Sequence, residues 1–278
     1  MRFEDFARSH GLIIRDVQLN RWVSTPTEDH PNKRNGRYKF IGEVGWVQNW
    51  ATMQEPAMWR SDKPMKVTPA LIKARRDDEA RRDAEARSAA KKAGWILHQC
   101  VTAPHPYLVS KGFPDGAMSV WNTEDGLFLV VPMFVDRRIV GCQLINEKGE
   151  KKFLKGQRTK GASLPIDAKG VPIFCEGLAT ALSVRAVMKL IKIRYTIHVC
   201  FSAGNMKEVS RRVPGGFVVA DNDPNGVGES AARDTGKPYW LSPASGEDFN
   251  DYHQRVGGFS AAQSLKDFLL SNAIALPS

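Results

Sequence analysis

Between residues 171 and 241, short apolar runs alternate with helix-length segments, and two of those runs end in acids. Val171-Pro-Ile-Phe-Cys175 leads into Glu176-Gly177, and Phe217-Val-Val-Ala220 leads into Asp221-Asn-Asp223. Apolar runs of four or five residues bounded by polar ones read as strands buried on both faces. Helices are predicted over about 178–192, from Ser202-Ala-Gly-Asn205 onward, and near 228–235, with further strands over 196–201 and 239–241. This β-α-β-α-β-α-β order predicts a parallel sheet with right-handed crossovers. In such sheets ligands collect beyond the carboxyl ends of the strands, so three carboxylates should meet at one edge. Two carboxylates about 4 Å apart repel by roughly 4 kcal/mol at an effective dielectric near 20. Such a cluster needs protons or divalent cations, and hard cations such as Mg²⁺ take oxygen ligands and pair with phosphates.

The flanking sequence divides into units of different character. Residues 1–66 hold Trp22, Trp46, Trp50 and Trp59, turn residues at 25–31 and Asn35-Gly36, and an alternating stretch over 38–46. These predict a small β-rich module with a hairpin. Its tryptophans serve either as its core or, with Arg34, Arg37 and Lys39, as a clamp for single-stranded DNA. Residues 67–97 read as a charged linker helix, opened by Thr68-Pro69 and ended by Gly94. Residues 98–169 read as a basic α+β subdomain, with strands over 126–135, 139–145 and 152–154. Its Lys151–Gly161 stretch has five basic residues and no acid, with Gly156 and Gly161 letting the backbone come close to a partner. Residues 170–257 are the alternating domain. Residues 258–278 are a C-terminal helix, capped by Ser260, and a tail.

The net charge of +10 favours a polyanionic partner, nucleic acid before membrane. No apolar run reaches the length of a membrane span, and the N-terminus has no apolar signal core, so a cytoplasmic location is expected. The four cysteines form no CxxC pair, so no zinc site is expected. Cys175 and Cys200 read as small buried hydrophobes.

The acids and their surroundings resemble the Toprim domain of bacterial, phage and plasmid DNA primases. That family places a Glu after its first strand and Asp-x-Asp after a later one, here Glu176-Gly177 and Asp221-Asn-Asp223. Mobile-element relatives continue as Gly177-Leu-Ala-Thr-Ala-Leu-Ser183 does here, and carry a later segment like Gly246-Glu-Asp-Phe-Asn-Asp251. Pro106–Gly112 and the segment from Gly141 to Phe153 look like the subdomain that precedes Toprim in such primases. The chain departs from the pattern in lacking cysteine ligands for an N-terminal zinc ribbon and in being too short at its C-terminus for a helicase-binding domain.

The resemblance implies an α/β fold: a Toprim-type parallel sheet flanked by helices, preceded by an α+β primase-like subdomain and the β-rich module. It implies primer synthesis on a single-stranded DNA template from NTPs or dNTPs, in a phage or plasmid setting, with a replicative helicase as a further partner. The alternatives are a Toprim nuclease using water as nucleophile and an inactive accessory protein that binds single-stranded DNA. Asp221 and Asp223 would be the principal ligands of Mg²⁺ or Mn²⁺, with Glu176 a ligand or the general base. Asp248 and Asp251 would complete a second metal site. Lys152, Lys155, Arg158, Lys160 and Arg138 are the candidates for holding nucleotide or template phosphates. The helix N-termini after Gly177 and at Asn205 would offer backbone N–H groups to the same phosphates.

Overall fold

The computed structural model describes residues 1–53, 55–62, 68–167 and 170–274. The chain forms two units, Met1–Ala84 and Glu85–Ser278. The end of the tail, residues 275–278, lies outside the described residues.

In the first unit a short helix, α1 (Phe3–Ser9), packs on an antiparallel meander of β1 (Trp22–Thr25), β2 (Gly36–Phe40), β3 (Val44–Asn49) and β4 (Ala57–Arg60). The expected hairpin is the β2–β3 pair. The core consists of Phe3, Ala7, Leu12, Tyr38, Val47 and Trp59. Glycine is required at position 45, because any Cβ there would overlap the Phe3 ring. The tryptophans divide by strand parity. Trp59 is buried, whereas Trp22 and Trp50 are exposed.

Helix α2 (Pro69–Gln99) runs through the boundary between the units. It does not stop at Gly94. Ala89, Ala93 and Ile96 form one stripe buried against Val130, Cys142 and Leu154. That burial outweighs the roughly 1 kcal/mol that an interior glycine costs.

The second unit continues with β5 (Val101–Ala103), α3 (Pro106–Ser110), β6 (Met118–Thr123), β7 (Gly126–Val135), β8 (Arg138–Asn146) and β9 (Lys151–Phe153). These strands form an antiparallel sheet in sequential order. Asp136 and Arg137, both with positive φ (49° and 63°), make the two-residue turn between β7 and β8. One face of β7 packs under α2, while Leu129, Val131 and Met133 join the main core on the other. Burial on both faces explains the unbroken apolar run of β7.

The remaining elements are β10 (Leu164–Ile166), β11 (Val171–Cys175), α4 (Leu178–Leu190), β12 (Tyr195–Val199), α5 (Ala203–Arg212), β13 (Phe217–Ala220), α6 (Val227–Arg233), β14 (Tyr239–Leu241) and α7 (Phe249–Ser271). The sheet order is β10-β12-β11-β13-β14, parallel except for the β10 edge. After β11 the chain moves to one neighbour, β12, then returns to the opposite side as β13. The switch point therefore lies between the carboxyl ends of β11 and β13, where Glu176 and Asp221 stand. Helices α4 and α7 share the main core, and α5 and α6 cover the other face around Phe174, Val218 and Ala220.

Asp248 is the N-cap of α7, and Gly257 (φ 78°, ψ 162°) is non-helical, so α7 consists of a first segment after Asp248 and, beyond the kink, the helix expected from 258, which starts before Ser260. Two polar contacts hold the first segment. Asn250, with no exposed surface, donates to Ser183 Oγ and to the Lys111 carbonyl, each at 2.9 Å. It thereby ties α7 to α4 and to the turn after α3. Among the described residues no helix is long and apolar enough to cross a membrane.

Candidate active site

The backbone of Glu176 is fixed by the strand beside it. Cys200 N–H donates to the Cys175 carbonyl (2.8 Å), and Phe201 N–H to the Glu176 carbonyl (2.7 Å). The Glu176 carboxylate takes a hydrogen bond from the Ala203 backbone at the start of α5. Asp223 accepts from Gly228 N–H (3.2 Å) in the first turn of α6. Asp248 caps α7 by accepting from Asp251 N–H (2.8 Å).

Asn222, which sequence reasoning passed over as a spacer, joins these parts. Its side chain donates to the Ser242 carbonyl (2.8 Å), and its backbone exchanges bonds with Gly246 N–H (2.6 Å) and the Glu247 carbonyl (3.3 Å). The middle residue of the Asp-x-Asp therefore brings the 246–248 loop, and with it Asp248, to the other acids.

The electrostatics show that the carboxylates are close enough to feel one another. Burial pushes the Asp221 carboxyl up to about 7, and Asp248, Glu176 and Asp223 add to the rise. Glu176 is raised by its burial first and then by Asp223. One oxygen of Asp221, Oδ1, is buried without a hydrogen-bond partner. A buried carboxylate oxygen left unpaired costs free energy unless a proton or cation meets it. Among the described residues no three His, Cys, Asp or Glu side chains form a ready ligand shell. The donor chemistry still fits a hard divalent cation: Asp248, Glu176 and Asp223 are near enough to raise the proton affinity of Asp221, one oxygen of which has no hydrogen-bond partner.

A cation of the chain itself also reaches this rim. Lys151 lowers the proton affinity of both Glu176 and Asp221, and its Nζ lies 4.0 Å from where a Cβ on Gly177 would stand. Lys151 was not singled out from its basic run. The signal was strand parity. In β9, Lys151 pairs with buried Ile145 of the main-core face, while Lys152 pairs with Leu144 of the face under α2. Phe153 shares the Lys151 face, is 45% exposed, and meets Phe201 edge-on at 6.4 Å.

The other expected basic contacts are dispersed. Lys152 lies on the opposite face of β9 from Lys151. Lys155 and Arg158 are exposed after β9. Lys160 pairs with Glu208 (3.5 Å). Arg138 stands at the hairpin end of β8, away from the residues that pair with β9. The Asn205 side chain is already engaged by Gly161 N–H (2.6 Å), the Ala162 carbonyl (2.8 Å) and the Cys200 carbonyl (2.7 Å). The cap of α5 is Ser202. Asp251 is exposed in the first turn of α7. Gly177 is the N-cap of α4, with no side chain occupying the first-turn N–H groups.

Two solved structures match at low identity. One is the primase fragment of the bacteriophage T7 primase-helicase protein, at 11% identity and TM-score 0.40, over 54% of this chain and 66% of that one. The other is a chain from bacteriophage T7 lagging-strand DNA polymerase interacting with primase domains of two gp4 subunits, bound to an RNA/DNA hybrid and dTTP. It matches at 12% identity and TM-score 0.42, over 59% of this chain and 84% of that one. The model of the Toprim domain matches residues 172–258, which hold all the carboxylates above. The acids at the switch point of the parallel sheet thus lie within the stretch, residues 172–258, that matches the Toprim domain.

Proposed function

We propose that this chain is a metal-dependent nucleotidyltransferase of the primase type, making short primers on single-stranded DNA from NTPs or dNTPs. The observation that carries this reading is the half-buried Asp221 carboxylate, one oxygen of which is buried without a partner, near Glu176, Asp223, Asp248 and Lys151. Asp221 and Asp223 would hold Mg²⁺ or Mn²⁺, and Asp248 would hold a second ion. When bound, such an ion neutralises triphosphate charge and helps align the attacking hydroxyl.

The remaining work falls to the chain's own groups. Glu176, held above the usual carboxylate range by burial, is suited to accept the proton of a primer 3′-hydroxyl. Lys151 and the uncapped start of α4 face the same space and would bind the nucleotide phosphates. Phe153 offers an exposed ring beside them for a base. Replacing Lys151 with Met should slow synthesis roughly 10- to 50-fold, mainly by raising KM for the nucleotide, as expected for one lost charge-assisted contact. Steady-state kinetics at varied nucleotide concentration check this. An unchanged KM would remove Lys151 from the nucleotide site.

The deciding experiment incubates the protein with single-stranded templates, labelled NTPs or dNTPs, and Mg²⁺ or Mn²⁺, beside Asp221→Ala. New oligonucleotides absent in the variant support the proposal. Template shortening without synthesis replaces it with a nuclease, and salt-sensitive binding without either product replaces it with an accessory role.

A further inference from the structure

The outer face of the N-terminal sheet carries a row of side chains unlike an ordinary solvated surface. The strand register places Trp22, Lys39, Trp46 and Met58 side by side across β1, β2, β3 and β4. Side chains alternate along each strand, and Tyr38, Val47 and Trp59 point to the core, so this row points away from it. Trp22 is 42% exposed and Met58 59%. The neighbouring row holds Ser24, Arg37 and Gln48. The Arg37 guanidinium lies over Trp22 at 4.5 Å and over Trp50, itself 47% exposed, at 5.7 Å. Its Nε donates to Gln48 at 3.0 Å, which fixes the stack. Arg60, paired with Val44, adds a further cation, and no strand residue of this face is acidic.

Exposed tryptophans cost free energy in water, and the core of this unit does not use them. A face combining flat rings, a held guanidinium and further cations, with no acid among its strand residues, is complementary to bases and phosphates together. Four strands at about 4.8 Å spacing give the row a span of about 14 Å, enough for roughly two or three splayed bases. Duplex DNA hides its base faces, so the rings select a single strand.

We propose that this sheet face is a binding platform for single-stranded nucleic acid, with Trp22, Trp46 and Trp50 stacking on bases and Arg37, Lys39 and Arg60 on the backbone. The platform deepens the proposed function by giving the template a non-catalytic hold, and it depends on no metal or carboxylate.

The test uses the full chain in EDTA without nucleotides, so that failure of the catalytic reading cannot affect it. Labelled oligothymidylate is titrated by fluorescence anisotropy at several salt concentrations, beside a duplex of equal length. The expected result is preference for the single strand, binding weakened at least about fivefold by Trp22→Ala, and binding restored by Trp22→Phe, since stacking is worth roughly 1–3 kcal/mol per base. Lys39→Gln should reduce the salt slope by about 0.7, the value for one lost phosphate contact on a single strand. Circular dichroism of each variant confirms folding. Folded Trp22→Ala and Lys39→Gln proteins that bind oligothymidylate as wild type does would overturn the proposal. So would a dimer, seen by sedimentation, that Trp22→Ala dissociates while DNA binding stays intact.

Discussion

Asp221→Asn is expected to lower the proposed metal-dependent synthesis about a thousandfold, and the metal-free variant should be harder to unfold than the wild type. The first effect would follow from removing a proposed anionic ligand, worth several kcal/mol of charge stabilisation at the reacting phosphate. The second follows from the site's own electrostatics. The folded protein holds the Asp221 carboxyl near 7, against 3.8 for the free side chain, chiefly through burial and then through Asp248, Glu176 and Asp223. Between those values the folded state binds more protons than the unfolded state, so stability falls as pH rises from about 4 to about 7. A three-unit shift corresponds to at most about 4 kcal/mol, and relaxation of a half-buried side chain reduces this to about 2. Asn carries no charge and escapes the penalty. Its melting temperature in EDTA should exceed that of wild type by roughly 4–8 °C at pH 8 and by nothing near pH 4. Mg²⁺ should stabilise the wild type much more than the variant. Thermal melts across that pH range, with and without Mg²⁺, read all of these. Equal gains at pH 4 and pH 8 would mean that folding does not raise the proton affinity of the Asp221 carboxyl.

Much of the sheet was readable because its strands are buried on both faces. β11, β13 and β14 stand out as short apolar runs, and their terminal acids mark the switch point without any knowledge of tertiary structure. What escaped detection depends on partners distant in sequence. Asn222 looks like a spacer until its bonds to Ser242, Gly246 and Glu247 appear. Lys151 and Lys152 are equivalent in composition. Only the pairing of β9 with β8 decides which of them faces the acids. Gly257-Gly258 reads as a boundary and the structure kinks there, while Asp248 followed by acidic Asp251 is the helix-start signal of the segment before it. Gly94 misled in the opposite direction, since its cost is local and the packing that overrides it is not.

Asn250→Ala is expected to cost about 3 kcal/mol, lowering the melting temperature of the second unit by roughly 6–12 °C. Asn250 is fully buried and 139 residues from Lys111 in sequence, yet its Nδ2 serves both the Lys111 carbonyl and Ser183 Oγ. Its Oδ1 accepts from Gln254 at 3.0 Å. Truncation takes the donor from the part-buried Lys111 carbonyl and opens a small cavity where α4, α7 and the turn after α3 meet. Ser183→Ala should cost less, because the Lys111 bond survives and His253, whose ring lies 3.0 Å from Ser183 Oγ, is only half-buried. The two changes share one bond, so the double variant should be less destabilised than the sum by about 1 kcal/mol. The same contact fixes the first turn of α7, which carries Asp248. Asn250→Ala should therefore also weaken Mg²⁺-dependent stabilisation, although Asn250 is none of the candidate ligands. Thermal melts of the three variants with and without Mg²⁺ measure both effects. A melting temperature within 2 °C of wild type would show that α7 is held by its apolar face alone.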